Sequence, residues 1–133
     1  MTITSEQPVQ QRRCQIVKLR GELDLDTVPS FGTVLRRACA DPLRPELVVD
    51  LRAVTFMDCT ALRELCTARA KCVSAGGWLR LVYDAPDIRR LFDTVEMTTI
   101  FPPYATIADA CCHWPPHPLG YVRLVLGYRR LRR

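Results

Sequence analysis

The sequence has few of the residues on which most enzyme chemistry depends. Its only two histidines, His113 and His117, follow the region in which strand and helix patterns alternate. No glycine-rich phosphate loop, HExxH zinc motif or GxSxG nucleophile motif occurs. Because no histidine-based triad can form within the α/β region, we expect no enzymatic activity and no bound cofactor.

Long apolar runs and a secretion signal are lacking as well. No stretch of about 18 apolar residues exists that would span a membrane. The first residues also lack the basic-then-apolar order of a signal peptide, so we expect the chain in the cytoplasm. The seven cysteines are an odd number without a CxxC pair. They are therefore predicted to be free thiols that mostly act as small buried hydrophobic residues.

Two cysteine patterns resemble functional sites, but structural explanations fit them better. Cys14 and Arg20 have the Cys-x5-Arg spacing of thiol phosphatases, yet the intervening residues form a strand pattern and lack the glycines of a phosphate loop. The Cys-Cys-His run at 111–113, taken with His117, matches no standard zinc spacing. A helix end with buried thiols is the better interpretation of that run, and no metal site is predicted.

Acidic residues are absent from the end of the chain. All 14 acidic residues and 14 of the 19 basic residues lie in 1–112, so that this region has no net charge. Five arginines follow without any acid, and 113–133 is predicted to be a basic tail. Weak contact of 115–133 with a membrane surface or an acidic partner stays open, as does a frayed tail. Direct binding of nucleic acid is not expected, because so few arginines give only salt-sensitive attraction.

Strand patterns recur along the chain up to about residue 112. Residues 1–12 are polar and aperiodic, which indicates a flexible lead-in to a domain at 13–112. Leu19, Leu23 and Leu25 share one face of an alternating segment, so a half-buried strand is expected there. Further strands are expected at 47–51, at 78–82 and, as a short extended piece, around 100–101.

Helix patterns alternate with these strands. Pro29 and Pro86 stand where first turns should begin, because the N–H that proline lacks is unpaired there anyway. Asp84 is the expected cap of the second of these helices. Between them, a loop at 52–57 should lead to a helix over 59–75. This order predicts an α/β fold with parallel strands and right-handed crossovers.

The start of the 59–75 helix carries the residues best suited to a switch. Asp58 is a good N-cap residue, and Gly76-Gly77 is expected to supply the positive φ that ends the helix. Unpaired backbone N–H groups and the macrodipole favour negative charge at a helix start. Phosphate on Thr60 would add about −1.5 to −2 charges there. On the evidence of this turn alone, an ordinary capped helix start is the better interpretation.

Motifs along the chain resemble those of the STAS domain. The likeness covers about residues 13–112, and although each motif is loose by itself, five in the family's order are specific. The motifs are Gly21-Glu22-Leu23-Asp24, Val48-Val49-Asp50-Leu51, Phe56-Met57-Asp58-Cys59-Thr60-Ala61-Leu62, Gly76-Gly77-Trp78-Leu79-Arg80-Leu81-Val82 and Pro86-Asp87-Ile88-Arg89-Arg90-Leu91-Phe92, with Ile100-Phe101 at the expected interval.

At this size, the chain resembles the anti-sigma factor antagonists among the STAS domain proteins. The resemblance implies a mixed, mostly parallel sheet of four to five strands, flanked by about four helices. It also implies binding to an anti-sigma factor with serine/threonine kinase activity, so that a sigma factor is released and transcription is regulated indirectly. The resemblance implies that Thr60 is the phosphoacceptor. The expected partner-binding residues are Asp24, Asp58, Cys59, Thr60, Ala61 and Arg63.

Three residues depart from the family's Asp-Ser-Ser-Gly-Leu motif. Thr60 replaces the acceptor serine, Cys59 the serine before it and Ala61 the glycine after it. Thr60 keeps a hydroxyl, whereas Ala61 is harmless in a helix but would crowd a partner that lies close to the backbone. The alternatives left open are a STAS scaffold or transport-associated subunit without a working switch, and a thiol enzyme that uses Cys59. Formation of a homodimer is also left open.

Overall fold

The computed structural model describes residues 2–6, 14–40 and 44–112. The strands are β1 (Thr2–Glu6), β2 (Gln15–Leu23), β3 (Glu46–Met57), β4 (Trp78–Val82) and β5 (Pro103–Tyr104). The helices are α1 (Val28–Ala38), α2 (Cys59–Ser74), α3 (Pro86–Thr94) and α4 (Ile107–Cys112). The predictions for the two histidines and for the basic tail at 113–133 lie outside the described residues.

The described strands form one sheet in the order β1-β2-β3-β4-β5. β1 is antiparallel to β2, and every later neighbouring pair is parallel. Each crossover from β2 to β5 moves one strand along the sheet in the same direction, so right-handed crossovers put their helices on one face. The α/β fold with a mixed, mostly parallel sheet is therefore confirmed.

The hydrophobic core has two parts, one on each face of the sheet. The larger part lies under α1–α3 and includes Phe31, Leu65 and Phe92, which are fully buried. The smaller part lies on the opposite face, where Ala110 of α4 packs against the sheet beside Val48. The turns that follow the carboxyl ends of β2 and β3 carry the candidate site.

Two segments that the sequence predicts to be irregular are strands. The flexible lead-in predicted at 1–12 is wrong for Thr2–Glu6, which pairs with β2 as an edge strand. Such a strand gains its hydrogen bonds from its neighbour and needs no apolar period of its own. The loop predicted at 52–57 is also wrong, since β3 continues to Met57. Register shifts in the β2–β3 pairing interrupt the simple alternation of buried side chains there.

Three predictions at the ends of elements are also wrong. Ala85, rather than Asp84, is the N-cap residue of α3, and it makes no side-chain cap bond. β2 ends at Leu23, and Leu25 lies exposed in the following turn. The extended piece predicted around 100–101 is a turn, and a strand forms only at β5.

The cysteines of the described residues are divided between one disulfide and several free thiols. Cys14 and Cys111 are joined by a disulfide, so the prediction of free thiols is wrong for this pair. The bond connects the residue before β2 to α4 across a sequence separation of 97. Both cysteines belong to the smaller part of the core, which explains how residues so distant in sequence meet. Among the described residues, Cys39, Cys59, Cys66 and Cys72 are free thiols.

The two glycines that follow α2 have different roles. Gly76 has a φ of +85° and supplies the predicted helix stop. Gly77 instead provides space, because a Cβ at this position would collide with the Pro45 carbonyl oxygen. The chain can therefore pass close to the start of β3 and enter β4 directly.

Candidate functional site

The two turns that contain Asp24 and Thr60 lie next to each other because β2 and β3 are parallel neighbours. Leu23 at the end of β2 is the register partner of Met57 at the end of β3. Beyond this pair, the Asp58 N–H donates to the Leu23 carbonyl oxygen over 3.2 Å. The main chain thus joins the turn after β2 to the start of α2.

Asp58 caps α2, as the sequence predicts. It has extended backbone angles, and its Oδ1 accepts hydrogen bonds from the N–H groups of Thr60 and Ala61 at 3.0 Å and 3.1 Å. Two of the four N–H groups that a helix start leaves unpaired are satisfied in this way. The carboxylate also places a negative charge at the positive end of the helix macrodipole.

Thr60 presents a hydroxyl at the surface of the first turn of α2. Its side chain is half-buried, and within 14–40 and 44–112 its Oγ1 makes no hydrogen bond. Cys59 and Arg63 are exposed on either side of it. Arg63 follows Thr60 by three residues, so the two side chains are neighbours on the helix surface. The hydroxyl is therefore available for modification without loss of an internal contact.

Ala61, unlike Thr60, faces the core. It is completely buried and belongs to the larger part of the core. The methyl group that replaces the family's glycine hydrogen is accommodated there, in a helical residue. The Ala61 N–H is bonded to Asp58 Oδ1.

The neighbouring turn is held by hydrogen bonds of Asp24 and Thr27. Asp24 Oδ1 accepts from the N–H groups of Asp26 and Thr27 at 3.0 Å and 3.1 Å. Thr27 Oγ1 accepts the Asp24 N–H at 2.9 Å and donates to the Glu22 carbonyl oxygen at 3.0 Å. These bonds form a local Asx-type turn that ends the strand. Leu25 lies at its tip.

Two large apolar side chains on these segments are exposed, although the sequence patterns do not single them out. Leu25 is 69% exposed and Phe56 is 50% exposed. Phe56 is the register partner of Glu22, one position before the ends of the paired strands. A large apolar residue immediately after the turn-forming Asp24 was the available signal for Leu25. We name Asp24, Leu25, Phe56, Asp58, Cys59, Thr60 and Arg63 the docking face.

A separate polar cleft lies on the sheet face that carries α4. Its volume is about 360 Å³, and Lys18, Arg20, Asp50 and Arg52 contribute to its lining. Arg52 Nε and Nη2 donate to the two carboxylate oxygens of Asp50 at 3.0 Å and 2.9 Å. Burial opposes ionisation of Asp50, but the hydrogen bonds from Arg52 and the charges of Arg52 and Lys18 outweigh it. The pKa of Asp50 is therefore lowered.

Metal-binding and membrane-spanning features are not found in the part of the chain that the structure describes. No group of three or more histidine, cysteine, aspartate or glutamate side chains there could hold a metal ion. None of its helices is long and apolar enough to cross a bilayer.

Comparison with known proteins assigns the family. The family model named STAS domain matches residues 7–110, which is most of the chain. The chain therefore belongs to the STAS domain family. No curated protein sequence matches it.

Several solved structures share the fold. An anti-sigma factor antagonist from Mycobacterium paratuberculosis is 29% identical, with a TM-score of 0.69 over 82% of this chain and 91% of that one. An anti-sigma-factor antagonist (STAS) domain protein from Planctomyces limnophilus is 15% identical, with a TM-score of 0.72 over 82% and 94%. The Bacillus cell fate determinant SpoIIAA in its phosphorylated form is 19% identical, with a TM-score of 0.63 over 82% and 96%.

Proposed function

We propose that this chain is an anti-sigma factor antagonist that binds an anti-sigma factor with kinase activity until Thr60 is phosphorylated. The observation that carries the proposal is the hydrogen bond between the Asp58 N–H and the Leu23 carbonyl oxygen. This bond unites the Asp24 and Thr60 turns into one surface. The similarity to the Mycobacterium paratuberculosis antagonist, which extends over 82% of the chain, supports the same role. The proposed place of action is the cytoplasm.

In the unmodified state the docking face combines apolar anchors with negative charge. Leu25 and Phe56 offer side chains that lose their contact with water when a partner packs on them. Asp24 and Asp58 lie on the two joined turns, and Asp26 is exposed beside Leu25. The matching partner surface is an apolar pocket that closes over the Thr60 turn and excludes water from it.

Phosphate on Thr60 would oppose this packing. The dianion would stand beside the Asp58 carboxylate and near that of Asp24, and a bound partner would have to remove it from water. Such a change costs about 2–5 kcal/mol, which is a loss of affinity of roughly 30-fold or more. Arg63 offsets little of it, because an exposed pair three residues apart on a helix contributes only about 0.2–0.5 kcal/mol.

Phosphorylation by the cognate anti-sigma factor tests the chemistry. The purified chain is incubated with that kinase and ATP, and its intact mass is recorded. The expected result is a gain of about 80 Da, the mass of one phosphoryl group, in the wild type and in Thr60→Ser but not in Thr60→Ala. An equal gain in Thr60→Ala would place the phosphate elsewhere and overturn the assignment of Thr60.

Binding to the same anti-sigma factor tests the switch itself. We expect Thr60→Ser to bind like the wild type and Thr60→Glu to bind at least tenfold more weakly, as measured by isothermal titration calorimetry. Binding by the wild type, together with no gain of mass in the kinase reaction, would instead indicate the alternative of a STAS scaffold or transport-associated subunit without a working switch. Absence of binding in every variant would contradict the proposed function as a whole.

A further inference from the structure

Two buried thiols outside the docking face lie in direct contact. Cys39 is the C-cap residue of α1, and Cys72 lies near the end of α2. Cys72 Sγ donates to Cys39 Sγ over 3.3 Å, and Cys39 Sγ donates to the Ala68 carbonyl oxygen over 3.4 Å. Cys39 is 6% exposed and Cys72 is 0% exposed. The pair is separate from the Cys14–Cys111 disulfide.

The two sulfurs need little movement to form a covalent bond. A disulfide has an S–S length of about 2.05 Å, so the atoms must approach by roughly 1.2 Å. Cys39 stands after the last helical residue of α1, where a side chain can turn without disturbing a following turn of the helix. Cys59 is exposed and Cys66 is half-buried, and neither has a thiol partner among the described residues.

We propose that Cys39 and Cys72 form a reversible disulfide when the protein meets a peroxide, which makes this pair an oxidative modification site. The Cys39 thiolate attacks one oxygen of hydrogen peroxide, the O–O bond breaks, and the released hydroxide takes up a proton to become water. The Cys72 sulfur then attacks the resulting sulfenic acid, whose OH leaves as a second water with the Cys72 proton. Two thiols lose two electrons, and one peroxide yields two waters.

The contact also assigns different roles to the two thiols. The hydrogen bond from Cys72 stabilises negative charge on the Cys39 sulfur. Together with the nearby charge of Lys71, it lowers the pKa of Cys39 against the opposing effect of burial. The same contact, with burial and the charge on Cys39, raises the pKa of Cys72. Cys39 is thus the attacking thiolate and Cys72 the thiol that closes the bond.

The disulfide would join two helices that serve the docking face. α1 follows the Asp24 turn, and α2 begins next to Thr60. A covalent link between the far ends of these helices restricts their separation while it leaves the docking face chemically unchanged. This proposal does not rest on the proposed function, and its test needs neither a partner nor phosphate.

Peptide mapping of the oxidised wild-type protein tests the proposal. The chain is treated with hydrogen peroxide, quenched in acid, alkylated under denaturing conditions and digested with trypsin without reductant. Cys39 then lies in the peptide 38–52, because trypsin does not cleave between Arg44 and Pro45, and Cys72 lies in 72–80. The expected product is these two peptides joined, and dithiothreitol should separate them.

Two further measurements set the controls. The peroxide dose is chosen so that the exposed thiol of Cys59 is oxidised. The variant Cys66→Ser changes another cysteine on the same helix as Cys72, and it should form the link as the wild type does. In Cys72→Ser, the sulfenic acid on Cys39 has no closing thiol and should be trapped by dimedone. Separate peptides 38–52 and 72–80 in the wild type at that dose would overturn the proposal, whether or not the variants fold.

Discussion

At the scale of single residues, Asp58 determines how α2 begins. Its Oδ1 accepts the N–H groups of both Thr60 and Ala61. Asp58→Ala leaves these donors without a side-chain partner and is expected to lower the free energy of unfolding by about 1 kcal/mol. Urea denaturation measures the loss. Asp58→Ser keeps a cap oxygen and should recover most of it; if serine is no better than alanine, capping is not the reason for the effect.

Leu25 and Phe56 allow the docking face to be tested apart from stability. Leu25 is 69% and Phe56 50% exposed, so Leu25→Ala and Phe56→Ala should lower the free energy of unfolding by no more than about 1.5 kcal/mol. Each should weaken binding to the anti-sigma factor by more than about 1 kcal/mol, roughly fivefold or more. Val73→Ala removes another exposed apolar side chain, near the far end of α2, and should leave affinity unchanged. Equal weakening in all three variants would contradict the location of the face.

Residue types predicted part of this face and missed another part for a physical reason. Asp58 was predicted as a cap because its side chain can reach the next N–H groups from its own position. Leu25 was assigned to a buried strand face because it continues the alternation of Leu19 and Leu23. Alternation cannot show that Asp24 bonds to the N–H groups of Asp26 and Thr27 instead and ends the strand.

At the scale of elements, β3 contains a carboxylate whose ionisation supports the fold. Asp50 has a lowered pKa in the folded chain, so the unfolded state binds more protons than the folded one as the pH approaches the ordinary value of 3.8 from above. The stabilisation by Asp50 is present above that pH and is lost as the pH decreases through the lower folded-state pKa.

Asp50→Asn tests this contribution. We expect the substitution to lower the free energy of unfolding by about 1–3 kcal/mol at pH 7, because it weakens the bonds from Arg52. The difference between wild type and variant should shrink below pH 3.8. Chemical denaturation at several pH values measures both quantities. A difference that stays constant from pH 7 to pH 3 would show that the carboxylate charge is not responsible.

The elements that the sequence did not predict owe their structure to their neighbours. α2 was predicted within one residue because its cap, its apolar spacing and Gly76 are all local signals. β1 was missed because its hydrogen bonds come from β2, and the end of β3 was missed because bulges in the β2–β3 pairing disturb the alternation of buried side chains. Pairing between strands is a tertiary property, so a local pattern does not contain it.

At the scale of the whole molecule, the Cys14–Cys111 disulfide fastens α4 to the sheet. It closes a long loop, and its loss is expected to lower the free energy of unfolding by roughly 2–4 kcal/mol. Cys14→Ser under non-reducing conditions should therefore unfold like the reduced wild type in urea. Reductant should have no further effect on the variant. A wild type that is equally stable with and without reductant would contradict this contribution.

The family motifs predicted the global arrangement better than they predicted its covalent links. The motifs follow the order of the strands and the helices that connect them in one sheet, from Gly21-Glu22-Leu23-Asp24 to Pro86–Phe92. The STAS assignment was therefore confirmed across most of the chain. The bond between Cys14 and Cys111 follows from the meeting of β2 and α4 on one sheet face, and no spacing in the sequence contains that information.

The bond that unites the two turns is made by main-chain atoms, the Asp58 N–H and the Leu23 carbonyl oxygen. Every residue except proline keeps that N–H, so side chains on the turns can change while the frame that presents them is retained. Duplicated copies of such a gene can therefore diverge in the partner that they recognise without a change of fold. Partner choice in this lineage is expected to evolve through substitutions at 25, 26 and 59, whose side chains make none of the hydrogen bonds that hold the two turns.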